Sequence, residues 1–289
     1  MLSIENKKDN FKRMEVITIL NLEEKFYTAK YDKVFKAIFC NPKNIFLLQT
    51  LLERCLNMEI EILKVTPPEM IAESVYEKGK TLDVLVKTEK EIINIEVNSG
   101  FREEMHSRLL GYLCNTYSED IKVGESYADM PTVIQINFTW NLPQKYPVLG
   151  QYNLQDSETK MTFANTLKIF EYNMDKIKKL WYSGDREYDF LAILDFDKEE
   201  LKQVEEGDAY MEKFKENVEK LNDDYEFKEF LSKEEDERKI RNTFKVLGKR
   251  EGAHQSKVEI AQNMLKEKMS IAMIAKVTGL SEEEIKALN

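Results

Sequence analysis

Apolar and polar positions along this chain recur with two periods, and each change of period marks an element. In "KYDKVFKAIFCNPKNIFLLQTLLERCLN" the residues Val34, Phe35, Ile38 and Phe39 recur at helical spacing, "NPKN" interrupts, and "IFLLQTLLERCL" resumes the pattern, which predicts two helices. Residues 60–78 are strand-like up to the "PP" pair and again in "MIAESVYE". The period then becomes two in residues 81–88 and 91–98, which are flanked by "KGK" and "SG". "REEMHSRLLGYLCNTYSE" is helical, with an apolar face through Met105, Leu109, Leu110 and Leu113, and "PTVIQINFTW" is a further strand. The order α, α, β, β, β, α, β predicts an α/β fold with helices packed on a small mixed sheet.

After about residue 186 the pattern becomes dense in Glu and Lys and lacks proline, as expected of helices with solvated faces. Apolar content recovers in "VEIAQNMLKEKMSIAMIAKVTGLSEEEIKAL", which has the outline of a helix-turn-helix. Ile260, Met264 and Leu265 give one apolar face and Ile271, Ile274 and Ala275 a second; "TGLS" is the turn and Ser281 caps the last helix. That helix opens with three glutamates, which suit a helix N-terminus but repel phosphates, so a packing or protein-contact module is expected. The predicted organisation is a core over 1–185, a charged helical extension over 186–250 and a C-terminal module over 251–289.

The two alternating segments raise a chemical question, because each carries an acid within an apolar run. Paired as an antiparallel hairpin around Glu89-Lys90, they place Thr88 opposite Glu91 and Asp83 opposite Glu96. One face then carries Leu82, Val84, Val86, Ile93, Ile95 and Val97; the other carries Asp83, Leu85, Lys87, Asn94, Glu96 and Asn98. Opposed carboxylates about 5 Å apart repel, and a divalent cation between them turns repulsion into binding. Two readings stay open at this point: a solvated polar face, or a metal site.

Composition narrows the function classes. Three cysteines, odd in number and widely spaced, point to free thiols in a reducing cytoplasm, and two distant histidines disfavour a His-ligated zinc or a His-based relay. The N-terminal "MLSIENKKDNFKRMEV" is charged where a secretory signal is apolar, and no run is long enough to span a bilayer. The net charge is −10 and no third of the chain is strongly basic, so contact with DNA is expected to be transient.

The pattern of Asp83 followed by "EVN" at 96–98 resembles the PD-(D/E)XK nuclease signature. More specifically, the chain resembles the recombination-promoting nuclease (Rpn) family of PD-(D/E)XK nuclease family transposases. The likeness runs from "YDKVFKAIF" through "KTLDVLV", "INIEVN" and "SRLLGYLCNTYSEDIKVGESYADMPTVIQINF" to "DFLAILD" and "MSIAMIAKVTGLSEEEIKAL". It implies a restriction-endonuclease-like sheet, followed by charged C-terminal helices, and Mg²⁺-dependent DNA cleavage (Mn²⁺ an alternative) linked to recombination or mobile elements. Carried over by position, Asp83 and Glu96 become metal-binding carboxylates, and Asn98 takes the place of the signature lysine. An amide orients a water but cannot polarise it by charge; Lys87, Lys80 or Lys36 are the available surrogates. Asp32 has two readings, an i,i+4 ion pair with Lys36 or a further acid near the metal. Arg108, four residues before Tyr112, is either a phosphate contact, with Lys36 and Lys87 as others, or a surface arginine. His106 reads as helix surface. The competing function is a catalytically weak relative that binds or regulates a nuclease or mobile-element partner. Self-association through the C-terminal helices is a further expectation.

Overall fold

The computed structural model describes residues 25–66, 84–119 and 130–288. The two predicted helices are α1 (Asp32–Phe39) and α2 (Ile45–Leu56), separated by a 3-10 turn at Pro42–Asn44. Asn41 starts that turn by accepting from the Lys43 N–H, and proline suits its first position because no donor is needed there. Three strands follow, β1 (Lys64–Thr66), β2 (Val84–Lys87) and β3 (Glu91–Asn98), then α3 (Met105–Glu119) and β4 (Thr132–Thr139).

β2 and β3 pair antiparallel, with Val84 facing Ile95, Leu85 facing Asn94, Val86 facing Ile93 and Lys87 facing Ile92. This is the register that the alternation predicts. The Thr88 N–H donates to the Glu91 carbonyl at 2.9 Å and the Thr88 hydroxyl accepts from the Glu91 N–H at 2.8 Å, so a threonine closes a turn that Glu-Lys alone favours weakly.

Residues 149–173, for which the sequence pattern predicts no element, form a second hairpin, β5 (Leu149–Gln155) and β6 (Thr162–Asn173). The six strands among the described residues make one mixed sheet in the order β1-β2-β3-β4-β6-β5, with β3 and β6 each parallel to β4 between them. β6 is inserted beside β4 and β5 takes the edge, where most of its residues are exposed.

One sheet face is apolar. Phe35 and Phe39 of α1 meet Phe138 and Phe214, with ring centroids 6.0 and 5.9 Å apart, and Tyr172 donates to the Cys55 carbonyl of α2 at 2.7 Å. Phe214 belongs to α7 (Ala209–Asp223), which follows α4 (Met174–Tyr182), α5 (Asp189–Ala192) and α6 (Lys198–Leu201). Leu191, Leu194, Phe196, Phe214 and Val218 are fully buried, each removing enough apolar area to contribute about 1.5–3 kcal/mol. The charged region after 186 therefore packs an apolar stripe into the core, and the chain divides into two compact units between Lys228 and Glu229.

The second unit contains most of α8 (Tyr225–Lys266), then α9 (Ile271–Thr278) and α10 (Glu282–Lys286). Its own core is Ala261, Ile274, Leu280 and Ile285; Ile260, expected on the apolar face, is exposed, and its neighbour Ala261 takes the buried position. Ser281 and Glu284 form a complete capping box, and Gly279 ends α9 in the left-handed region that favours glycine. Among the described residues no helix is long and apolar enough to cross a membrane.

Candidate active site

The other face of the sheet is polar and buried. Alternation along β3 sends Asn94, Glu96 and Asn98 to this face, and the in-register parallel pairing aligns them with Gln135, Asn137 and Thr139 of β4. β6 continues two of these rows, with Glu171 beside Asn137 and Asn173 beside Thr139. All eight side chains are at most 7 % exposed. The other end of the same face is apolar, where α3 covers Ile92 and Val133 through Leu113 and Tyr117.

A directed chain of amide hydrogen bonds crosses the three strands. Asn94 Nδ2 donates to Gln135 Oε1 at 2.8 Å, Gln135 Nε2 to Asn137 Oδ1 at 2.8 Å, and Asn137 Nδ2 to Glu171 Oε2 at 2.9 Å. Asn94 Nδ2 also lies 3.4 Å from Glu96 Oε1. Glu96 and Glu171 are thus the two carboxylates joined to one amide network. Such a network specifies one arrangement when satisfied and is costly to break, because each orphaned buried group costs about 1–3 kcal/mol. On this face five buried atoms find no hydrogen-bond partner among the described residues: Asn94 Oδ1, Asn98 Nδ2, Thr139 Oγ1, Glu171 Oε1 and Asn173 Nδ2.

At the C-terminal end of β3 this face opens into a cleft of about 330 Å³, whose lining includes Asn98, Ser99, Phe101, Arg102 and Arg108. Arg108 Nη2 donates to Asn98 Oδ1 at 3.3 Å, and its guanidinium lies 5.8 Å from the centre of the Tyr112 ring. The Asn98 carbonyl oxygen of the side chain is thereby held, and its amide nitrogen is left with a donor to spare.

Glu171 is the second feature. Burial pushes its carboxyl up, against the opposing influence of Thr139, Asn137 and the imidazole of His106. His106 Nε2 stands 3.6 Å from Glu171 Oε2, and its Nδ1 stands 3.5 Å from the hydroxyl of Tyr146. His106, expected on the helix surface, keeps about a third of its side chain exposed and turns one ring nitrogen to the sheet.

The structure brings Glu96, Asn98 and Arg108 to one end of the polar face. Asp83, the other expected metal carboxylate, lies outside the described residues, as does Lys80. Asp32 and Lys36 pair with each other at 2.8 Å on α1, whose Phe35 packs against Phe138 on the apolar face. Lys87 pairs across to Ile92 and Lys64, four residues down β3 from Glu96, or about 13 Å of strand.

Glu96 offers oxygen donors behind the cleft and, among the described residues, the lining itself holds Glu104 and neither cysteine nor histidine, a donor set that fits a hard divalent cation. Among the described residues no three or more His, Cys, Asp or Glu groups gather as a cage. The fit is therefore to an ion that leans on one or two carboxylates and keeps waters or substrate oxygens, the usual habit of Mg²⁺.

Gln135, Asn137, Glu171 and Asn173 escape the sequence reading. A signal for the first two does exist: "IQINFT" places polar residues at alternate positions of an apolar strand, as "INIEVN" does. What the pattern lacks is the partner, since a parallel pairing between strands 41 residues apart is set by the fold alone.

A family model described as PD-(D/E)XK nuclease family transposase matches residues 29–247, and one described as the C-terminal HTH domain of the Rpn/YhgA-like nuclease family matches residues 254–289. No curated protein and no solved structure matches the chain. The two family matches run in order and span nearly all of the described residues, and the six-stranded mixed sheet with flanking helices agrees with the nuclease fold. The chain belongs to the PD-(D/E)XK nuclease family transposases, with the C-terminal domain of the Rpn/YhgA-like branch.

Proposed function

We propose that the chain is a divalent-metal-dependent DNA endonuclease in which Asp83 and Glu96 hold Mg²⁺ or Mn²⁺ against a scissile phosphate. The observation that carries this reading is the placement of Glu96 and Asn98, two residues apart on one buried polar face that ends in a cleft lined by Arg102 and Arg108. A bound divalent ion would supply Lewis-acid activation of water and offset charge on the phosphodiester. The protein's own groups do the rest. Asn98, in the place of the signature lysine, is the group assigned to orient the attacking water, and Arg108, anchored on Asn98 Oδ1, presents its remaining donors to a phosphate oxygen.

The helix-turn-helix domain supports DNA as the partner. Its last helix opens with Glu282, Glu283 and Glu284, so little sequence reading is expected of that helix. Ile240, Phe244 and Leu247 form an exposed apolar stripe at i, i+4 and i+7 of α8, which supports self-association through the C-terminal helices. Cys40, Cys55 and Cys114, none of them joined in a disulfide, support a reducing, cytoplasmic setting.

The second reading is a weakly active relative that binds a nuclease or mobile-element partner, favoured by Asn98 standing where a cationic lysine is the family signature. Nicking of supercoiled plasmid with Mg²⁺ or Mn²⁺ separates the two. The endonuclease reading expects wild-type nicking that Asp83→Ala and Glu96→Ala abolish; nicking that survives both substitutions removes these residues from the chemistry.

A further inference from the structure

We propose that two copies of the chain pair antiparallel through the middle of α8, the acidic run of one helix lying against the basic run of the other. This rests on the self-association reading above and gives it a surface, an orientation and a register.

α8 is 42 residues long, and between Leu231 and Ala261 none of its described residues is buried. At 1.5 Å per residue that stretch is about 44 Å of helix. A lone helix gains little from propensity in water, and most helical stability in proteins comes from packing an amphipathic face. This stretch has a face to pack. Ile240, Phe244 and Leu247 are 54, 70 and 45 % exposed and fall at i, i+4 and i+7, the spacing of a seam between two helices.

Charge along the same helix is segregated. Residues 226–237 hold six acids and two bases, whereas residues 238–250 hold six bases and no acid. A helix that only had to stay solvated would interleave the signs, so that pairs form three or four residues apart all along it. Here the pairs of Glu229 with Lys233 at 2.7 Å and of Asp236 with Lys239 at 3.2 Å sit in the acidic run and at its boundary.

A second copy uses both patterns at once. In a parallel pair in register, acid would meet acid and base would meet base, which is repulsive. In an antiparallel pair the runs exchange. When Ile240 of one copy faces Phe244 of the other, two-fold symmetry repeats the contact, and the same offset lays residues 234–237 alongside residues 247–250. The apolar seam and the charge pattern thus select one register. DNA on the basic run is the competing occupant. Three large apolar side chains among the bases and an acidic run beside them suit phosphates poorly, which favours the second copy.

The test is sedimentation equilibrium of the full-length chain from about 1 to 100 µM. The pairing predicts a dimer that Phe244→Glu weakens about tenfold or more, the loss expected from one central aromatic contact made twice. It predicts that reversing Glu234, Glu235 and Glu237 to lysine weakens the dimer by a similar factor, and that reversing the bases of 245–250 to glutamate does the same. An equimolar mixture of the two reversed chains should restore it, because each altered run then meets its opposite. Helical circular dichroism retained by each variant separates a lost dimer from a lost fold. A wild-type dimer that neither reversal weakens overturns the antiparallel pairing and leaves self-association standing on another surface. Weaker DNA binding by the chain with its bases reversed, with the dimer unchanged, overturns the pairing and gives the basic run to DNA. A wild-type monomer at about 100 µM overturns the pairing and the self-association reading together.

Discussion

Asn94 and Gln135 meet across parallel strands, with the amide of Asn94 donating to Gln135 Oε1 at 2.8 Å while its nitrogen also lies 3.4 Å from Glu96 Oε1. One side chain therefore links the candidate metal carboxylate to the neighbouring strand. Gln135→Leu should leave Asn94 Nδ2 without its shortest acceptor and Asn137 Oδ1 without a donor. The expected loss is about 2–4 kcal/mol of unfolding free energy, from two orphaned buried groups. Urea unfolding followed by tryptophan fluorescence checks this; a loss below about 0.5 kcal/mol would mean that the network contributes little.

Burial raises the Glu171 carboxyl in the folded chain, so the fold holds that proton more tightly than the unfolded chain does. The stability linked to this proton is present below the ordinary carboxyl value near 4.5 and is lost as pH rises through the raised folded value. Glu171→Gln keeps the shape and cannot ionise. Its melting temperature relative to wild type should thus be higher at pH 8 than at pH 5. Parallel curves for the two proteins across that range would show that Glu171 pays no penalty for its charge.

Arg108 touches Asn98 and lines the cleft. If it contacts one phosphate, Arg108→Ala weakens DNA binding on all sequences and reduces the slope of log affinity against log salt by about 1. Filter binding or fluorescence anisotropy at several salt concentrations, with Ca²⁺ in place of Mg²⁺, reads both. An unchanged slope places Arg108 outside the DNA path.

The two tryptophans, Trp140 and Trp181, both lie in the first compact unit, whereas Ala261, Ile274, Leu280 and Ile285 make a separate small core in the second. Ile274→Asp should unfold the second unit alone, since a buried charge without a partner costs several kcal/mol against so small a core. The expected result is a loss of helical circular dichroism with tryptophan emission unchanged. A parallel loss of both signals would show that the units fold as one.

What the sequence revealed and what it hid follow from whether the information was local. The register of β2 with β3 is legible because a slip by one residue would send Val84 and Val86 to the polar face. Glu96 and Asn98 are legible for the same reason. The hairpin at 149–173 is harder to see, because the alternation Gln151-Tyr152-Asn153-Leu154-Gln155 is short and β5 sits at an edge where even Tyr152 and Leu154 stay exposed. Glu171 is invisible as a site residue because its partners, Asn137 and His106, lie 34 and 65 positions away and meet it only through the parallel pairing and the docking of α3. The helices after 186 look solvated because their many Glu and Lys residues outnumber the thin stripe of Phe214 and Val218 that reaches the core.

The claim on which the enzyme reading rests is that Asp83 and Glu96 bind one divalent ion. Anomalous scattering from crystals grown with Mn²⁺ tests it most directly. The expected result is a single strong peak bonded to Glu96 and Asp83 at the mouth of the Asn98–Arg108 cleft, absent from crystals of Glu96→Gln. A peak elsewhere, or one that persists in Glu96→Gln, would contradict it.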